Sequence, residues 1–182
     1  VTDVSLVNSG VKFICALNFF LTSNPATLTV KNPVAITTQP VDQTVCVTGG
    51  PATSAAAATG DDLTYQWQVS TNGTWNNILA ATSATYTINN PGVNLNGNQY
   101  RVVVSGTSPC STVTSNVVTL TVNQLVSIAT QPAAVNFCSG LASTANFSIV
   151  ANGTGLTYQW VANNGSDITL VDDANFSGAT TA

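Results

Sequence analysis

Histidine, glutamate and methionine are all absent from the 182-residue sequence, and its seven acidic residues are all aspartates. Histidine is the usual general base near neutral pH, and paired carboxylates are the usual substitute. Its absence excludes Ser-His-Asp and Cys-His catalysis. Zinc would have to rely on four cysteines that are far apart and form no Cys-x-x-Cys pair. We therefore expect no enzyme activity, no metal and no cofactor in this segment.

Positive charge is also scarce. Lys12, Lys31 and Arg101 are the only basic residues, and the net charge is −4. A nucleic-acid surface needs clustered lysine and arginine, and so does attraction to anionic lipid. No apolar run approaches the roughly 20 residues of a membrane-spanning helix. These shortages exclude nucleic-acid binding and membrane insertion, and we expect any export signal to lie outside this sequence.

Charged residues make up 5% of the chain and hydrophobic residues 44%, whereas an ordinary soluble protein is about 25% charged. Disordered chains combine high charge with low hydrophobicity, so this chain is expected to fold. Thr, Val, Ala, Asn and Ser dominate, with Gly and Pro between them, which favours an all-β fold. Low charge also reduces repulsion between neighbouring molecules and favours their association.

The clearest strand pattern lies at Leu63–Val69, where apolar side chains occupy every second position. This alternation predicts a strand with one buried face. Trp67, midway along it, is predicted to form the centre of a small sandwich. The same five residues, Leu-Thr-Tyr-Gln-Trp, return at Leu156–Trp160. Trp160 is therefore the expected core of a second copy.

The sequence repeats with a period of about 92 residues. Val34–Pro40 matches Val126–Pro132 at this offset. We divide the chain into the C-terminal part of one repeat (1–33), a complete repeat (34–124) and the N-terminal part of the next (125–182). Partial repeats at both ends are expected of a segment cut from a longer tandem array. The alternative is that successive molecules complete each other by donating strands.

About seven or eight short strands are predicted in the complete repeat, which is the spacing of a β-sandwich. Asn72-Gly73 predicts a tight hairpin after the tryptophan strand. Gln39-Pro40 is expected to end an edge strand. Ala55 and Ala57 are expected to point inward, where small side chains leave room for Trp67.

Cys46 and Cys110 are the two cysteines of the complete repeat. A bridge between them would stabilise the domain by roughly 4 kcal/mol in the loop-entropy model, and secreted β-domains favour such bridges. The alternative is two buried free thiols. Cys15 and Cys138 lie in the partial repeats, and their partners are expected outside this sequence.

Several stretches resemble the immunoglobulin-like repeats of Bacteroidota surface proteins. They are Ile36–Pro40, Val45-Cys46, Leu63–Gln68, Trp75–Ile78, Asn96–Arg101 and Thr114–Asn116. Such repeats occur in very long secreted adhesins, including gliding-type adhesins, that are exported by the type IX secretion system. The resemblance covers all 182 residues and implies tandem immunoglobulin-like β-sandwiches without catalytic residues. In that family a Cys often follows a Tyr-Arg pair, a place held here by Val102 in the complete repeat and by Cys15 in the first part.

Three features are candidate sites. Trp75 is either an exposed aromatic that contacts a ligand such as a sugar, or a residue that folds back to cap the sandwich. Tyr100 resembles the tyrosine that closes a corner of such sandwiches, which implies a structural role. The aspartate pairs at 61–62 and 172–173 lack further acidic ligands for Ca²⁺, so solvated turns are expected there.

The resemblance implies a spacer, adhesive or filament-forming role outside the cell. We expect a structural filament, stalk or adhesin segment in which short junctions at Lys31–Pro33 and Asn123–Leu125 limit bending. The expected partners are neighbouring copies of the same protein or repeat, with surface glycans as a further candidate. One alternative is a carbohydrate- or protein-binding module attached to a secreted enzyme, and a second is a virion surface decoration.

Overall fold

The computed structural model describes residues 9–17, 21–136, 140 and 144–182. Cys138 and Asn8 therefore lie outside the described residues. The described part of residues 1–33 contains four short strands: β1 (Lys12–Phe13), β2 (Ala16–Leu17), β3 (Leu21–Thr22) and β4 (Ala26–Thr27). β1 pairs with β4 and β2 pairs with β3, both antiparallel, so this segment folds as a single long hairpin.

Residues 34–124 fold into two facing sheets. Their strands are β5 (Ala35–Thr38), β6 (Gln43–Cys46), β7 (Ala52–Ala55), β8 (Ala57–Thr59), β9 (Thr64–Thr71), β10 (Thr74–Asn77), β11 (Thr85–Ile88), β12 (Gln99–Ser105), β13 (Val113–Thr114) and β14 (Val118–Asn123). The larger sheet has the order β10-β9-β12-β14-β6, with β13 also paired to β12. The facing layer, which we call the smaller sheet, consists of two separate strand pairs, β5-β8 and β7-β11. The predicted all-β fold is confirmed.

The first edge strand crosses from one sheet to the other at Gln39-Pro40. β5 pairs antiparallel with β8, whereas β6 pairs parallel with β14. Proline has no N–H to donate to a ladder, so it suits this crossing. Pro40 is buried, and the side chain of Gln39 accepts a hydrogen bond from the N–H of Asn116 at 2.9 Å. The crossing is thus tied to the segment that leads into the last strand, β14.

The core lies between the two sheets and is organised around aromatic rings. Trp67 has no exposed surface, and Val102 and Val104 on the neighbouring strand are also fully buried. The ring centroid of Tyr86 lies 5.9 Å from that of Trp67 and 6.0 Å from that of Tyr100. This aromatic row crosses the domain and joins its two hydrophobic clusters.

The inward-facing residues of the second strand differ from the sequence prediction. Ala52, Ser54 and Ala56 are buried, whereas Ala55 and Ala57 are exposed. The N–H of Ala56 donates to Ala84 O at 3.0 Å, where β7 gives way to β8. A shift of one residue moves every side chain of a strand to its other face, and a match at a fixed period does not detect such a shift.

The described part of residues 125–182 contains four strands: β15 (Ser127–Thr130), β16 (Val150–Asn152), β17 (Val161–Asn163) and β18 (Asp167–Thr169). β15 pairs with β16 and β17 with β18, both antiparallel. The β15–β16 pair has a register shift between Ile128 and Thr130, as β5–β8 has between Ile36 and Thr38. Within the described residues, no helix is long and apolar enough to cross a membrane.

Candidate functional site: the domain junctions and the sheet surfaces

Asp61 and Asp62 hold the segment that leads into the complete sandwich. The N–H and Nδ2 of Asn32 donate to the two carboxylate oxygens of Asp61 at 2.7 and 3.0 Å. Lys31 Nζ lies 2.7 Å from Asp62 Oδ2, which also accepts from Thr107 Oγ1 at 2.9 Å. The two loops that carry Asp62 and Thr107 therefore fix the entering chain.

The same contacts set the ionisation of these groups. Hydrogen bonds from Asn32 hold the pKa of Asp61 below its ordinary value. Hydrogen bonds from Lys31 and Thr107 lower the pKa of Asp62, and the partnership with Asp62 raises the pKa of Lys31. All three groups are charged near neutral pH. Within the described residues, no three His, Cys, Asp or Glu side chains are grouped to hold a metal ion.

No free linker separates the first hairpin from the sandwich. The N–H of Val30 donates to Ser9 Oγ at 3.2 Å, so Val30 is still held by the hairpin. The next residue, Lys31, already forms its salt bridge with Asp62. A chain held on both sides of one peptide bond has little freedom to bend there, because its dihedral angles are fixed by neighbouring contacts.

The second junction also lacks a free linker, because consecutive residues there are held by the segments on either side. Asn123 is the last residue of β14, and its carbonyl oxygen accepts the N–H of Val47 at 2.9 Å. Gln124 follows directly, and its N–H donates to Thr154 Oγ1 at 2.8 Å. The N–H of Thr154 in turn donates to Gln124 O at 3.2 Å. Residues 123 and 124 are thus held by the complete sandwich and by the segment that follows it.

The second aspartate pair organises a turn. Asp172 Oδ1 accepts the N–H of Ala179 at 2.7 Å. Asp173 Oδ1 accepts the N–H groups of Asn175 and Phe176 at 2.7 and 2.8 Å. Both carboxylates are therefore used to satisfy backbone donors of an irregular segment.

The expected Cys46–Cys110 bridge is not formed. Cys46 lies in register with Asn123, where the chain leaves the sandwich, whereas Cys110 Sγ donates to Asn32 O at 3.3 Å, where the chain enters. From the strand rise, these two ends are roughly 30 Å apart, far beyond the reach of a disulfide. Neither cysteine is bonded to another within the described residues. Cys46 is exposed and Cys110 partly buried, so the alternative of two buried thiols is also wrong for Cys46.

Trp75 lies on the outer face of the larger sheet and does not enter the core. The guanidinium carbon of Arg101 lies 4.2 Å from the centroid of its ring. Arg101 Nε donates to Gln68 Oε1 at 2.8 Å, and Gln68 Nε2 donates to Asn77 Oδ1 at 2.8 Å. These four side chains form a flat, partly exposed polar and aromatic patch, which we call the outer patch.

The two tryptophans predicted to form core centres make the same hydrogen bonds. Trp67 Nε1 donates to Ser83 O at 2.9 Å, and Trp160 Nε1 donates to Thr181 O at 2.8 Å. Trp160 is only partly buried, and its ring centroid lies 6.4 Å from that of Phe147. Tyr100 is buried, and burial raises its pKa.

Sequence reasoning missed the glutamine that precedes each tryptophan. Gln66 Nε2 donates to Trp67 O and Ile78 O at 2.9 and 2.8 Å. Gln159 Nε2 donates to Trp160 O and Leu170 O at 3.0 and 2.8 Å. The repetition of Gln-Trp in both copies could have indicated this role. A strand position that faces away from the core can hold many polar residues, so the same amide in both copies suggests a specific contact.

The hairpin of residues 9–30 repeats the geometry of β12 to β14. The N–H of Ser23 donates to Cys15 O at 2.8 Å, as that of Ser115 donates to Val102 O at 2.9 Å. The N–H of Cys15 donates to Ser23 Oγ at 2.9 Å, as that of Val102 donates to Ser115 Oγ at 2.9 Å. Cys15 therefore holds the position of Val102.

Two facing sheets whose first strand divides between them, with a buried tryptophan beside the penultimate strand, define an immunoglobulin-like β-sandwich. The chain belongs to the family described as Domain of unknown function (DUF8696), whose model matches residues 34–124. These are the residues assigned above to the complete repeat. No curated protein matches the sequence.

Solved structures with the same fold are tandem immunoglobulin domains. Sidekick-1 immunoglobulin domains 1-4 align with a TM-score of 0.56 and 15% identity, over 90% of this chain and 46% of that chain. A titin fragment of three such domains aligns with a TM-score of 0.58 and 11% identity, over 93% of this chain and 69% of that chain. The N-terminal four Ig domains of Dscam1 isoform 4.44 align with a TM-score of 0.52 and 14% identity, over 98% of this chain and 50% of that chain. This chain spans 37% and 46% of the two Sidekick-1 chains it matches. At these identities the similarity shows the fold alone.

Proposed function

We propose that this chain is a non-catalytic segment of a tandem immunoglobulin-like array that acts as a stiff spacer in a cell-surface or extracellular filament, stalk or adhesin. The observation that supports this most strongly is the pair of junctions. Val30 and Lys31 are held on opposite sides of the first, and Asn123 and Gln124 are held on opposite sides of the second. A spacer without free linker residues transmits position and force along its length.

The stiffness does not depend on the strength of any single contact. The Lys31–Asp62 pair is exposed, and such pairs contribute about 0–1 kcal/mol. Bending at this junction must also break the bonds from Asn32 to Asp61 or from Val30 to Ser9. Flexible linkers need several unrestrained residues, and neither junction has any.

The pairing of the first and last strands suits a domain that carries tension. β6 and β14 run parallel in four register pairs, from Gln43 opposite Leu120 to Cys46 opposite Asn123. The chain enters at one end of the sandwich and leaves at the other. A pull between the two junctions therefore slides β6 along β14 and loads all their hydrogen bonds together.

The resemblance to repeats of gliding-type adhesins supports an extracellular location on a bacterium of the Bacteroidota and export by the type IX system. The low charge of the chain, 5% of residues, supports association between neighbouring copies, because few charges have to be desolvated at a contact. The proposed partners are therefore other repeats of the same kind.

Electron microscopy of the 182-residue chain and of two variants tests the proposal. One variant inserts Gly-Ser-Gly-Ser between Val30 and Lys31, and a control inserts the same residues after Gly73 in the β9–β10 turn. We expect a narrow distribution of angles between the hairpin and the sandwich in the natural chain and in the control, and a broad one in the junction variant. A distribution in the natural chain as broad as in the junction variant would exclude a stiff spacer.

A second candidate function is glycan or protein binding by the outer patch. Trp75 is partly exposed, and it is surrounded by the hydrogen-bonding side chains of Arg101, Gln68 and Asn77. Aromatic rings bordered by such groups are suited to stacking on sugars. A glycan array probed with the natural chain and with Trp75→Ala distinguishes the functions, since a binding module loses its signal in the variant.

A further inference from the structure

Asparagine followed by glycine occurs four times in the chain, at residues 72–73, 96–97, 152–153 and 164–165. Glycine has no side chain to shield its amide nitrogen, so that nitrogen can reach the side-chain carbonyl carbon of the asparagine before it. All four asparagines are exposed. Exposure to water therefore does not distinguish the four pairs, and a difference between them has to come from the way each pair is held.

The Asn72-Gly73 pair is not held by hydrogen bonds of its own. It forms the two-residue turn between β9 and β10, where Thr74 pairs with Thr71. Asn72 has a φ of 61° and Gly73 a φ of 85°, as a tight hairpin turn requires. Within the described residues, neither the N–H of Gly73 nor the side chain of Asn72 takes part in a hydrogen bond. A Cβ added to Gly73 would have no neighbour within 4 Å, so the peptide group between the two residues has room to rotate.

The Asn96-Gly97 pair, in contrast, is bonded to the last strand through both of its residues. The N–H of Gly97 donates to Leu120 O at 2.8 Å. Asn96 Oδ1 accepts the N–H of Val122 at 2.9 Å. Attack by the Gly97 nitrogen on the Asn96 side chain would have to break both bonds. The attacking nitrogen and the group that it would attack are therefore both occupied in the fold.

The two remaining pairs are restrained as well. The N–H of Gly165 donates to Asn163 Oδ1 at 3.0 Å, so the attacking nitrogen of the last pair is occupied. Asn152 is the final residue of β16. The glycine after it, Gly153, is packed so closely that an added Cβ would lie 3.1 Å from Val126 Cα. Neither pair can rotate its peptide group without disturbing its neighbours.

We propose that Asn72 is a site of spontaneous deamidation, whereas the asparagines of the other three pairs are protected by the fold. The Gly73 nitrogen loses its proton to hydroxide and attacks Cγ of Asn72. A C–N bond forms, the bond from Cγ to Nδ2 breaks, and ammonia leaves with a proton from water. The cyclic imide then adds water and opens to aspartate or isoaspartate, depending on which carbonyl carbon the water attacks. The net reaction consumes one water and releases one ammonia, and it does not depend on the function proposed above.

The product changes the hairpin that carries Trp75. Isoaspartate runs the backbone through the former side chain and adds a methylene group to a turn that fits only two residues of positive φ. The Thr71–Thr74 pair beside the turn loosens as a result. Trp75 then shifts relative to Arg101, whose guanidinium carbon lies 4.2 Å from the centroid of its ring. The new carboxylate also adds negative charge to a chain whose net charge is −4. Deamidation of Asn72 therefore acts on the outer patch rather than on the core.

Peptide mapping of the full 182-residue chain tests the proposal. The folded chain and the chain unfolded in urea are kept in the same mildly alkaline buffer, because hydroxide promotes ring closure. Chymotrypsin cleaves after aromatic residues and releases Asn72 and Asn96 in separate peptides, in which mass spectrometry measures aspartate and isoaspartate. In the folded chain we expect Asn72 to react at least about tenfold faster than Asn96, where two hydrogen bonds must open first. In urea the two rates should converge. Equal rates in the folded chain, or no reaction at Asn72 while the unfolded chain reacts, would overturn the proposal.

Asn72→Gly is the matched variant for the effect on the outer patch. Gly-Gly also forms this kind of turn, and it has no side chain that can cyclise. The indole N–H of Trp75, followed by NMR, should develop a second signal as the natural chain ages, and no such signal should develop in the variant. A second signal in Asn72→Gly, or none in the deamidated natural chain, would contradict the link between Asn72 and the outer patch. Neither experiment involves the junctions, so its failure leaves the stiff spacer in place.

Discussion

The indole nitrogen of Trp67 donates a hydrogen bond of 2.9 Å to the carbonyl oxygen of Ser83. This bond joins β9 of the larger sheet to the segment that leads into β11 of the smaller sheet. Ser83 is exposed whereas the indole is fully buried, so the bond satisfies the polar atom of a core residue. Trp67 therefore links the two sheets through both its packing and its polar atom.

Replacing Trp67 with phenylalanine should lower the free energy of unfolding of the complete sandwich by about 2–4 kcal/mol, since the substitution leaves a cavity and removes the bond to Ser83 O. Urea unfolding followed by circular dichroism measures the change. The matched substitution Trp75→Phe, on the outer patch, should cost less than about 1 kcal/mol. Equal losses for the two variants would contradict the assignment of Trp67 as the centre of the core.

Changing Gln66 to glutamate should lower the free energy of unfolding by roughly 1–3 kcal/mol, because the amide donates to two carbonyl oxygens and a carboxylate repels both. The comparison is Gln99→Glu, an exposed position on the same sheet, where we expect a change within about 0.5 kcal/mol. Thermal or urea unfolding of both variants at neutral pH provides the measurement. An unchanged free energy of unfolding in Gln66→Glu would show that the two hydrogen bonds of Gln66 Nε2 do not stabilise the sandwich.

The parts of the fold that depend on local pattern could be predicted from the sequence. The strand predicted at Leu63–Val69 is observed as β9 (Thr64–Thr71), and the Asn72-Gly73 turn joins β9 to β10 as expected. Alternation of side chains and turn chemistry are properties of a few consecutive residues. They are therefore visible without knowledge of the rest of the chain.

Features that depend on how strands are placed against each other could not be predicted. The faces predicted for Ala55 and Ala57 were displaced by one residue along the strand, which inverts them. The distance between Cys46 and Cys110 depends on β6 running parallel to β14, which no local pattern encodes. The hydrogen bonds from Asn32 to Asp61 join residues far apart in sequence. The aspartate pair alone therefore indicated only a turn.

The first junction should loosen in acid. Because the folded pKa of Asp61 is depressed by its bonds from Asn32, the contribution of its carboxylate is fully present above the ordinary value of about 3.9. It is lost as the pH falls through the lower folded pKa. The amide proton shift of Asn32, followed by NMR, should therefore stay constant from pH 7 to about pH 4 and change only below it.

Two variants complete this titration. In Asp61→Asn the acid-dependent change at Asn32 should disappear, whereas Asp167→Asn, at the first residue of β18, should leave it intact. A midpoint above the ordinary carboxyl pKa of about 3.9 would show that the carboxylate is not stabilised by Asn32. Lys31 behaves in the opposite way, because its pKa is raised by Asp62. The salt bridge is therefore kept at neutral pH and lost only as the pH rises through that elevated value.

The separation of Cys46 from Cys110 predicts that reducing agents will not change the stability of the complete sandwich. Cys46→Ser and Cys110→Ser should each alter the free energy of unfolding by less than about 1 kcal/mol, whereas loss of a native disulfide costs about 2–5 kcal/mol. Under non-reducing conditions, alkylation followed by mass spectrometry should label exposed Cys46 faster than Cys110, whose thiol is partly buried and bonded to Asn32 O. Large and equal losses in the two serine variants, both abolished by reductant, would instead require a bridge and a different path for β6.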